Sequence, residues 1–233
     1  MALIKFGGGI TGISGSMAGN TFSRNRFGAY LRARTKPVNP NTARQVAARA
    51  KMSELSDRWA SVVTDAQRIA WNLYGNSVSM LNRLGEVVKL TGANHYIRSN
   101  SVRALVGGDI VDDAPTTYTL PAQDPTFAVT ISEATQKLSI TFDDSLAWAN
   151  EDDGFLQVSM GSPQNPQRNF FKAPYRFAGA IAGITIGPPA SPDATIDCPF
   201  VATEGQRVWV KARAILADGR VSEEFAANCF CAA

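Results

Sequence analysis

The chain has 233 residues, of which 45% are hydrophobic and 18% charged, as in globular proteins with a sizeable core. No window approaches the roughly 18–20 apolar residues of a membrane span, and the start, MALIKFGGGI, is too short an apolar run for a signal peptide. We therefore expect a protein made in the cytoplasm, with no membrane partner. The net charge of +3 conceals 15 Lys and Arg against 7 Asp and Glu in residues 1–120, and 8 against 13 in residues 121–233. This asymmetry indicates an anionic partner, head-to-tail pairing of copies, or two solvated surfaces of different sign.

Residues 1–41 are predicted to form an extended basic arm. Gly, Ser, Thr and Asn dominate it, and single apolar residues recur between regularly spaced arginines. This composition is typical of a segment that is disordered alone and orders against a partner, with glycines allowing close backbone approach. The residues predicted to bind a neighbouring subunit are Gly15, Gly19, Phe22, Arg24, Arg26, Phe27, Tyr30, Arg32 and Arg34. The alternative is that the basic stretch Arg24–Lys51 binds nucleic acid through phosphate pairing and base stacking.

Residues 42–108 are predicted to be a helical segment. The first helix runs from Thr42 to about Ser61, with Asn39 as candidate cap and Pro40 in the first turn. Its apolar stripe consists of Met52, Leu55, Trp59 and Val62. Trp59, together with Trp71 of the second helix, is the predicted helix-docking pair.

Two further helices are predicted in this segment. A capping box at Thr64–Gln67 begins the second, which runs to about Tyr74 and ends at residues 75–77. Its inward residues are predicted to be Ile69 and Leu73, with Trp71 as a further candidate. Residues 87–90 are either a short strand or an extended crossover. Thr91 caps the third helix, from Gly92 to about Leu105.

Residues 109–125, with three prolines and four aspartates, are predicted to be a linker that contains the domain boundary. From residue 126 the period changes to that of strands. The predicted runs are TFAVTIS, KLSITF, GFLQVSM, NFFKAPYRF, ATIDCPF, RVWVKARAIL and RVSEEF. Asp218-Gly219 is predicted to join the last two as a hairpin. This number of short strands indicates a two-sheet antiparallel sandwich over residues 126–233.

Two parts of the sequence resemble known families. The hairpin RVWVKARAILADGRVSE is similar to the last two strands of fibronectin type III or immunoglobulin-like sandwiches. The arm and the stretches LSDRWASVVTDAQRIAWNLY and LTGANHYIRSN resemble structural proteins of tailed bacteriophages and prophages. The positions that carry this second resemblance are Gly15, Gly19, Phe22, Arg26, Arg32, Pro37, Asn39, Pro40, Thr42, Gln45, Trp59, Thr64, Gln67, Arg68, Trp71, Gly92 and Asn94. It implies a role in virion assembly.

Residues for catalysis or metal binding are few. His95 is the only histidine and cannot supply the usual zinc set, so it is expected to be a structural or a surface residue. Cys198, Cys229 and Cys231 contain no CxxC spacing, and the last two would share one face of a strand as buried thiols. The acidic stretches at 143–144 and 151–153 match no defined calcium loop and are expected to be solvated charge.

Together these features predict an α+β protein with an arm, a helical segment and an immunoglobulin-like or fibronectin III-like sandwich. We expect no enzyme activity, no cofactor and no metal. The predicted function is that of a bacteriophage virion protein, for capsid decoration or at the head–tail connector. It would bind capsid, portal or tail subunits and form homo-oligomers. Two alternatives are nucleic-acid binding through the arm and glycan binding by exposed aromatics of the sandwich, namely Trp148, Trp209 or Tyr175.

Overall fold

The computed structural model describes residues 2–25, 28–36, 38–81, 87–191 and 194–233. It divides into two compact units, Met1–Val46 and Ala47–Ala233. The described residues form three α-helices, one 3-10 turn and thirteen strands, which makes the chain an α+β protein. The boundaries drawn from the sequence at residues 41, 108 and 125 stay predictions.

The N-terminal unit contains a small antiparallel sheet where an extended arm was expected. Its strands are β1 (Ala2–Leu3), β2 (Gly15–Met17), β3 (Asn20–Asn25) and β4 (Gly28–Ala33), in the order β1-β4-β3-β2. Ala18 adopts a φ of 50° in the turn between β2 and β3, and the amide of Arg34 donates to the carbonyl of Gly19. Along β4, Ala29, Leu31 and Ala33 alternate with Tyr30 and Arg32, so the pattern suits a strand as well as an arm.

The helices are α1 (Ala43–Ser61), α2 (Asp65–Ser77) and α3 (Gly92–Val106). Thr42, not Asn39, caps α1, because its hydroxyl accepts from the amide of Gln45. The predicted capping box at Thr64 is confirmed, as is the cap at Thr91. Between α2 and α3, β5 (Met80–Leu81) pairs antiparallel with β6 (Val87–Val88). Residues 82–86 of the sequence lie outside the described residues.

Helix α2 continues through residues 75–77, where the sequence predicted its end. The glycine at position 75 does not end the helix; it lies where α2 contacts the start of α3. A Cβ on Gly75 would lie 2.5 Å from the carbonyl oxygen of Leu90, and one on Gly92 would lie 2.5 Å from the amide nitrogen of Asn72. Two glycines thus let the two backbones touch. The small core beside this contact consists of Val63, Trp71, Tyr74, Val78 and Tyr96.

The second unit is dominated by a seven-stranded sheet. Its strands are β7 (Ala128–Ser132), β8 (Lys137–Thr141), β9 (Phe155–Gly161), β10 (Tyr175–Ala182), β11 (Ala194–Asp197), β12 (Arg207–Ile215) and β13 (Phe225–Ala232). The order is β10-β9-β12-β13-β7-β8-β11, with every pair antiparallel except the parallel pair β13–β7. The sheet is nearly closed, since a Cβ on Gly179 of β10 would lie 2.8 Å from Cγ2 of Ile196 of β11.

Two predicted runs differ from the observed strands. Of the run NFFKAPYRF, only the last three residues, 175–177, belong to β10. Phe171, earlier in the run, lies outside the strand and stacks on Trp209 at a centroid distance of 5.7 Å. Only the last residue of the run RVSEEF, Phe225, belongs to β13. The residues before it form the return from the hairpin, in which Val221 bridges to Ile215. The sequence of β12 alternates valine or alanine with Arg207, Trp209, Lys211 and Arg213, which predicts a half-buried strand. The valines and alanines are buried as predicted, but Trp209 on the other side is also buried.

The enclosed core holds the inward residues of the seven strands, and α3 packs against its outside. Val102 of α3 joins Ile215 and Val221 in a separate buried cluster. Helix and sheet therefore belong to one packed body in residues 47–233.

Candidate assembly surface

The N-terminal sheet has two chemically different faces. Residues paired across an antiparallel sheet share a face, and neighbours along a strand alternate between faces. Because Phe22 pairs with Leu31 and Gly15, one face carries Met17, Phe22, Ala29, Leu31 and Ala33, with Asn20 and Arg24 as its polar members. We call this the apolar sheet face. The opposite face carries Ser16, Thr21, Ser23, Tyr30 and Arg32, and a hydrogen bond of 2.9 Å joins Ser16 to Thr21.

Neither face is fully buried among the described residues of this unit, although Phe22 and Leu31 are half-buried. Among the described residues of the N-terminal unit none is buried, and Met17 is 65% exposed. Stable sheets normally cover an apolar face with a second layer of structure. The apolar sheet face is therefore an unpartnered surface.

The N-terminal segment is also uniformly basic. Residues 1–53 contain nine Lys and Arg and no Asp or Glu, whereas residues 54–233 contain 14 basic and 20 acidic residues, a net charge of −6. Within the described part of the chain, Lys5, Arg24, Arg32, Arg34, Lys36 and Arg44 form no ion pair. We therefore expect this segment to bind anionic surfaces in preference to neutral or cationic ones.

The structure divides the predicted subunit-binding residues between the strands and their ends. Phe22 and Arg24 lie on the apolar sheet face, while Tyr30 and Arg32 lie on the opposite face. Gly15 has a φ of 109°, which favours glycine, and Gly19 is in the β2–β3 turn. Arg34 follows β4 and is exposed. Arg26 and Phe27 lie outside the described residues.

Helix α2 carries apolar residues on two opposite faces. Trp71, Tyr74 and Gly75 are buried. Ile69 and Leu73, which the sequence pattern placed inward, are 69% and 53% exposed. With the exposed Ala66 and Ala70 they form a continuous outward face, the α2 stripe, at spacings of three and four residues. Met52 and Val62 of the stripe predicted on α1 are likewise exposed, while Leu55 is buried.

The predicted docking tryptophans are used inside the chain. Trp71 is fully buried, and its indole N–H donates to the carbonyl of Asp112 at 2.8 Å. Trp59 is half-buried and packs on Tyr96 at a centroid distance of 5.3 Å. The surface that α2 offers to a partner is therefore the α2 stripe and not Trp71.

A charged network fixes these helices to residues 109–113, which the sequence suggested were only a linker. The carboxylate of Asp112 accepts from Nε and Nη2 of Arg58 at 2.9 and 2.6 Å, and from the hydroxyl of Tyr96 at 2.9 Å. The hydrogen bond from Arg58 lowers the pKa of Asp112. The pKa of Tyr96 is raised, mainly by its burial and then by the hydrogen bond to Asp112. A Trp, a Tyr and an Arg converge on one aspartate that local pattern could not single out.

Helix α3 is bonded to the β12–β13 hairpin through its polar side chains. Arg103, which is 1% exposed, donates to the carbonyls of Asp109, Asp153 and Leu216. Arg98 donates to the carbonyls of Val221 and Ser222 at 2.9 and 2.8 Å. These hydrogen bonds fix the helices, and with them the α2 stripe, in position on the seven-stranded sheet.

His95 is buried against Tyr74, with ring centroids 5.1 Å apart. Burial lowers its pKa to about 4. Its Nε2 has no hydrogen-bond partner among the described residues. A neutral ring in a small aromatic core is what this environment favours.

The acidic stretches bind nearby backbone amides. Asp143 accepts from Ser145, Glu151 from Ala217 and Asp152 from Thr185. In the described part of the chain no group of three or more His, Cys, Asp or Glu side chains could hold a metal ion.

The cysteines and two of the aromatics belong to the enclosed core. Cys231 is buried, with Cys198 and Cys229 packed beside the same cluster, so the shared face predicted for Cys229 and Cys231 is confirmed. Burial raises the pKa of the Cys198 and Cys229 thiols to about 11. Trp148 and Trp209 are 1% and 7% exposed, so they form no exposed platform, contrary to the glycan alternative.

No protein-family model matches the chain, and no curated protein is significantly similar to it. Among the described helices, none is both long enough and apolar enough to cross a membrane.

Proposed function

We propose that this chain is a structural assembly protein that joins neighbouring subunits through its N-terminal sheet. The observation that carries the proposal is a four-stranded sheet with an apolar face and no buried residue among those described. Ordering such a segment costs roughly 1–2 kcal/mol of backbone entropy per residue. A partner that covers Phe22 and Leu31 would offset this cost through burial of apolar surface. An interface that buries enough apolar surface to offset this cost is typical of permanent assemblies.

The setting we propose is a tailed-bacteriophage virion, with the protein as a capsid decoration or head–tail component. The resemblance of the arm and helical stretches to phage structural proteins supports this setting. The capped helices and the basic, glycine-rich N-terminal unit are consistent with it. The partners would be capsid, portal or tail subunits, together with further copies of the chain.

We further propose that the seven-stranded sheet is an immunoglobulin-like or fibronectin III-like sandwich. If β7 to β13 are lettered A, B, C, C′, E, F and G in chain order, the strand order of the single sheet is C′-C-F-G-A-B-E. In such sandwiches C′-C-F-G and A-B-E are the two layers, and in this sheet the parallel A–G pairing joins the two sets of strands. The enclosed core between the layers supports the assignment. In a virion, this module would project from the particle surface.

The experiment is incorporation into particles of the intact chain and of a chain lacking residues 1–40. All of the buried hydrophobic residues described lie at position 55 or later, so the deletion removes none of the core. We expect the deleted chain to fold, with an unchanged thermal transition, and to be missing from purified particles. Full occupancy of the particles by the deleted chain would refute the proposal.

A second candidate function is nucleic-acid binding, favoured by the nine basic and no acidic residues of the segment 1–53. Its signature is an affinity for duplex DNA that falls steeply with salt, with a slope set by the number of phosphates neutralised. Binding that survives Phe22→Glu but is lost on Arg24→Glu and Arg32→Glu would favour this function over assembly.

A further inference from the structure

We infer that the apolar sheet face of one copy packs on the α2 stripe of a second copy, so that the chain assembles head to tail. This inference rests on the proposed function and names both the partner and the surface that it uses. Its basis is that the described residues present two apolar surfaces of different shape, a sheet face with Met17 exposed and Phe22 and Leu31 half-buried, and the exposed helix face of the α2 stripe.

The two surfaces match in type and size. A helix laid on a sheet is one of the few ways in which both bury their apolar sides. The α2 stripe runs from Ala66 to Leu73, seven steps along the helix, which is about 10 Å at 1.5 Å per residue. The strands β2, β3 and β4 span two inter-strand spacings, also about 10 Å. Phe22 and Leu31 lie opposite each other near the middle of that face and can straddle Ile69.

The charges of the two surfaces are complementary. The apolar sheet face carries one charged residue, Arg24, and lies in a segment with no acidic residue. At the start of α2 the side chain of Asp65 is 92% exposed and pairs with Arg68 at 3.1 Å, and the exposed Asp113 accepts a hydrogen bond from Gln67, so two carboxylates stand against one guanidinium there. Docking of the basic sheet beside these carboxylates is attractive. Packing of two sheet faces on each other would instead bring two copies of Arg24 together.

Since the two surfaces differ, the contact is heterologous, and a bound pair of copies leaves one sheet face and one α2 stripe open. Such contacts close into rings or continue as filaments, depending on the rotation between copies. Either product is a repeated structural assembly of the type proposed above. Two-fold pairing would stop at a dimer.

The test uses two full-length variants, one for each surface. Phe22→Glu places a carboxylate on the sheet face, and Ile69→Lys places a cation on the stripe, at a position that is already exposed. The control is Ile186→Lys, since Ile186 is 89% exposed and lies outside both surfaces. Sedimentation velocity over a concentration series then measures the oligomeric state of each protein and of an equimolar mixture of the first two.

We expect the wild type and Ile186→Lys to form species larger than dimers as concentration rises, and both surface variants to remain monomers. The mixture should form a 1:1 complex and nothing larger, because Phe22→Glu retains an intact stripe and Ile69→Lys an intact sheet. A wild type that is monomeric at every concentration overturns the inference. So does an Ile69→Lys protein that still associates, or a mixture without a complex.

These failures are distinct from failure of the proposed function. If Ile69→Lys enters particles normally while the chain without residues 1–40 does not, the sheet binds another protein and only the head-to-tail contact is refuted. If both enter particles, the proposed function is refuted as well.

Discussion

Replacing Asp112 tests whether residues 109–113 hold the helical segment together. In Asp112→Ala the hydroxyl of Tyr96, which is fully buried, loses its acceptor, and Arg58 loses two charge-assisted bonds. A buried hydroxyl left without a partner costs about 1–3 kcal/mol. The Arg58 side chain is 35% exposed, so water replaces much of its lost pairing, which adds about 1 kcal/mol. We expect a loss of about 2–4 kcal/mol in the free energy of unfolding.

The assay is equilibrium urea denaturation of wild type, Asp112→Ala, Tyr96→Phe and the double variant. Tyr96→Phe removes the orphaned hydroxyl, so the double variant should be more stable than the sum of the single losses predicts. The neighbouring change Asp113→Ala, at an exposed residue, is the control and should shift stability by less than about 0.5 kcal/mol. Additive losses, or an Asp112→Ala protein as stable as the control, would refute the network as a source of stability.

Two further predictions concern the same helices. Because burial lowers the pKa of His95 to about 4 from 6.5, the unfolded chain binds a proton that the folded chain excludes, so stability should fall from pH 6.5 to pH 4 by about 3 kcal/mol. His95→Gln should remove that part of the pH dependence of urea unfolding, and an unchanged slope would contradict the reasoning. Gly92→Ala forces a Cβ to within 2.5 Å of the α2 backbone and should lower stability by about 1–3 kcal/mol in thermal unfolding. Gly12→Ala, with nothing within 4 Å, should leave the transition unchanged, and equal effects of the two substitutions would argue against the close contact.

The sequence correctly predicted those elements that depend on residues close together in the chain. The capping Thr91 predicted the start of α3, and the predicted end near Leu105 is one residue short of the observed end at Val106, which Gly107 follows with a φ of 87°. Alternation along β12 predicted its buried side, because period-two patterning and burial on one face are the same constraint. Composition likewise identified the basic segment at the N-terminus.

Patterns failed where two answers were equally consistent with the residues. Helix α2 has Ile69 and Leu73 on one face and Trp71 and Tyr74 on another, and either could be a core face. The choice followed from Asp112 and Tyr96, which lie 41 and 25 residues from Trp71 in sequence and bind it only in the folded chain. The helical end at residues 75–77 was missed for a similar reason, since Gly75 is required by the approach of Gly92.

The sequence alone thus determined the α+β class, the charge asymmetry and the helices with side-chain caps, because these follow from composition and from neighbours within one turn. Only the tertiary structure decided that the arm pairs into a sheet and that residues 109–113 brace the helices. It also decided that an apolar stripe of α2 is left outside. These depend on which distant residues come together, and burial is a property of that pairing rather than of any residue by itself.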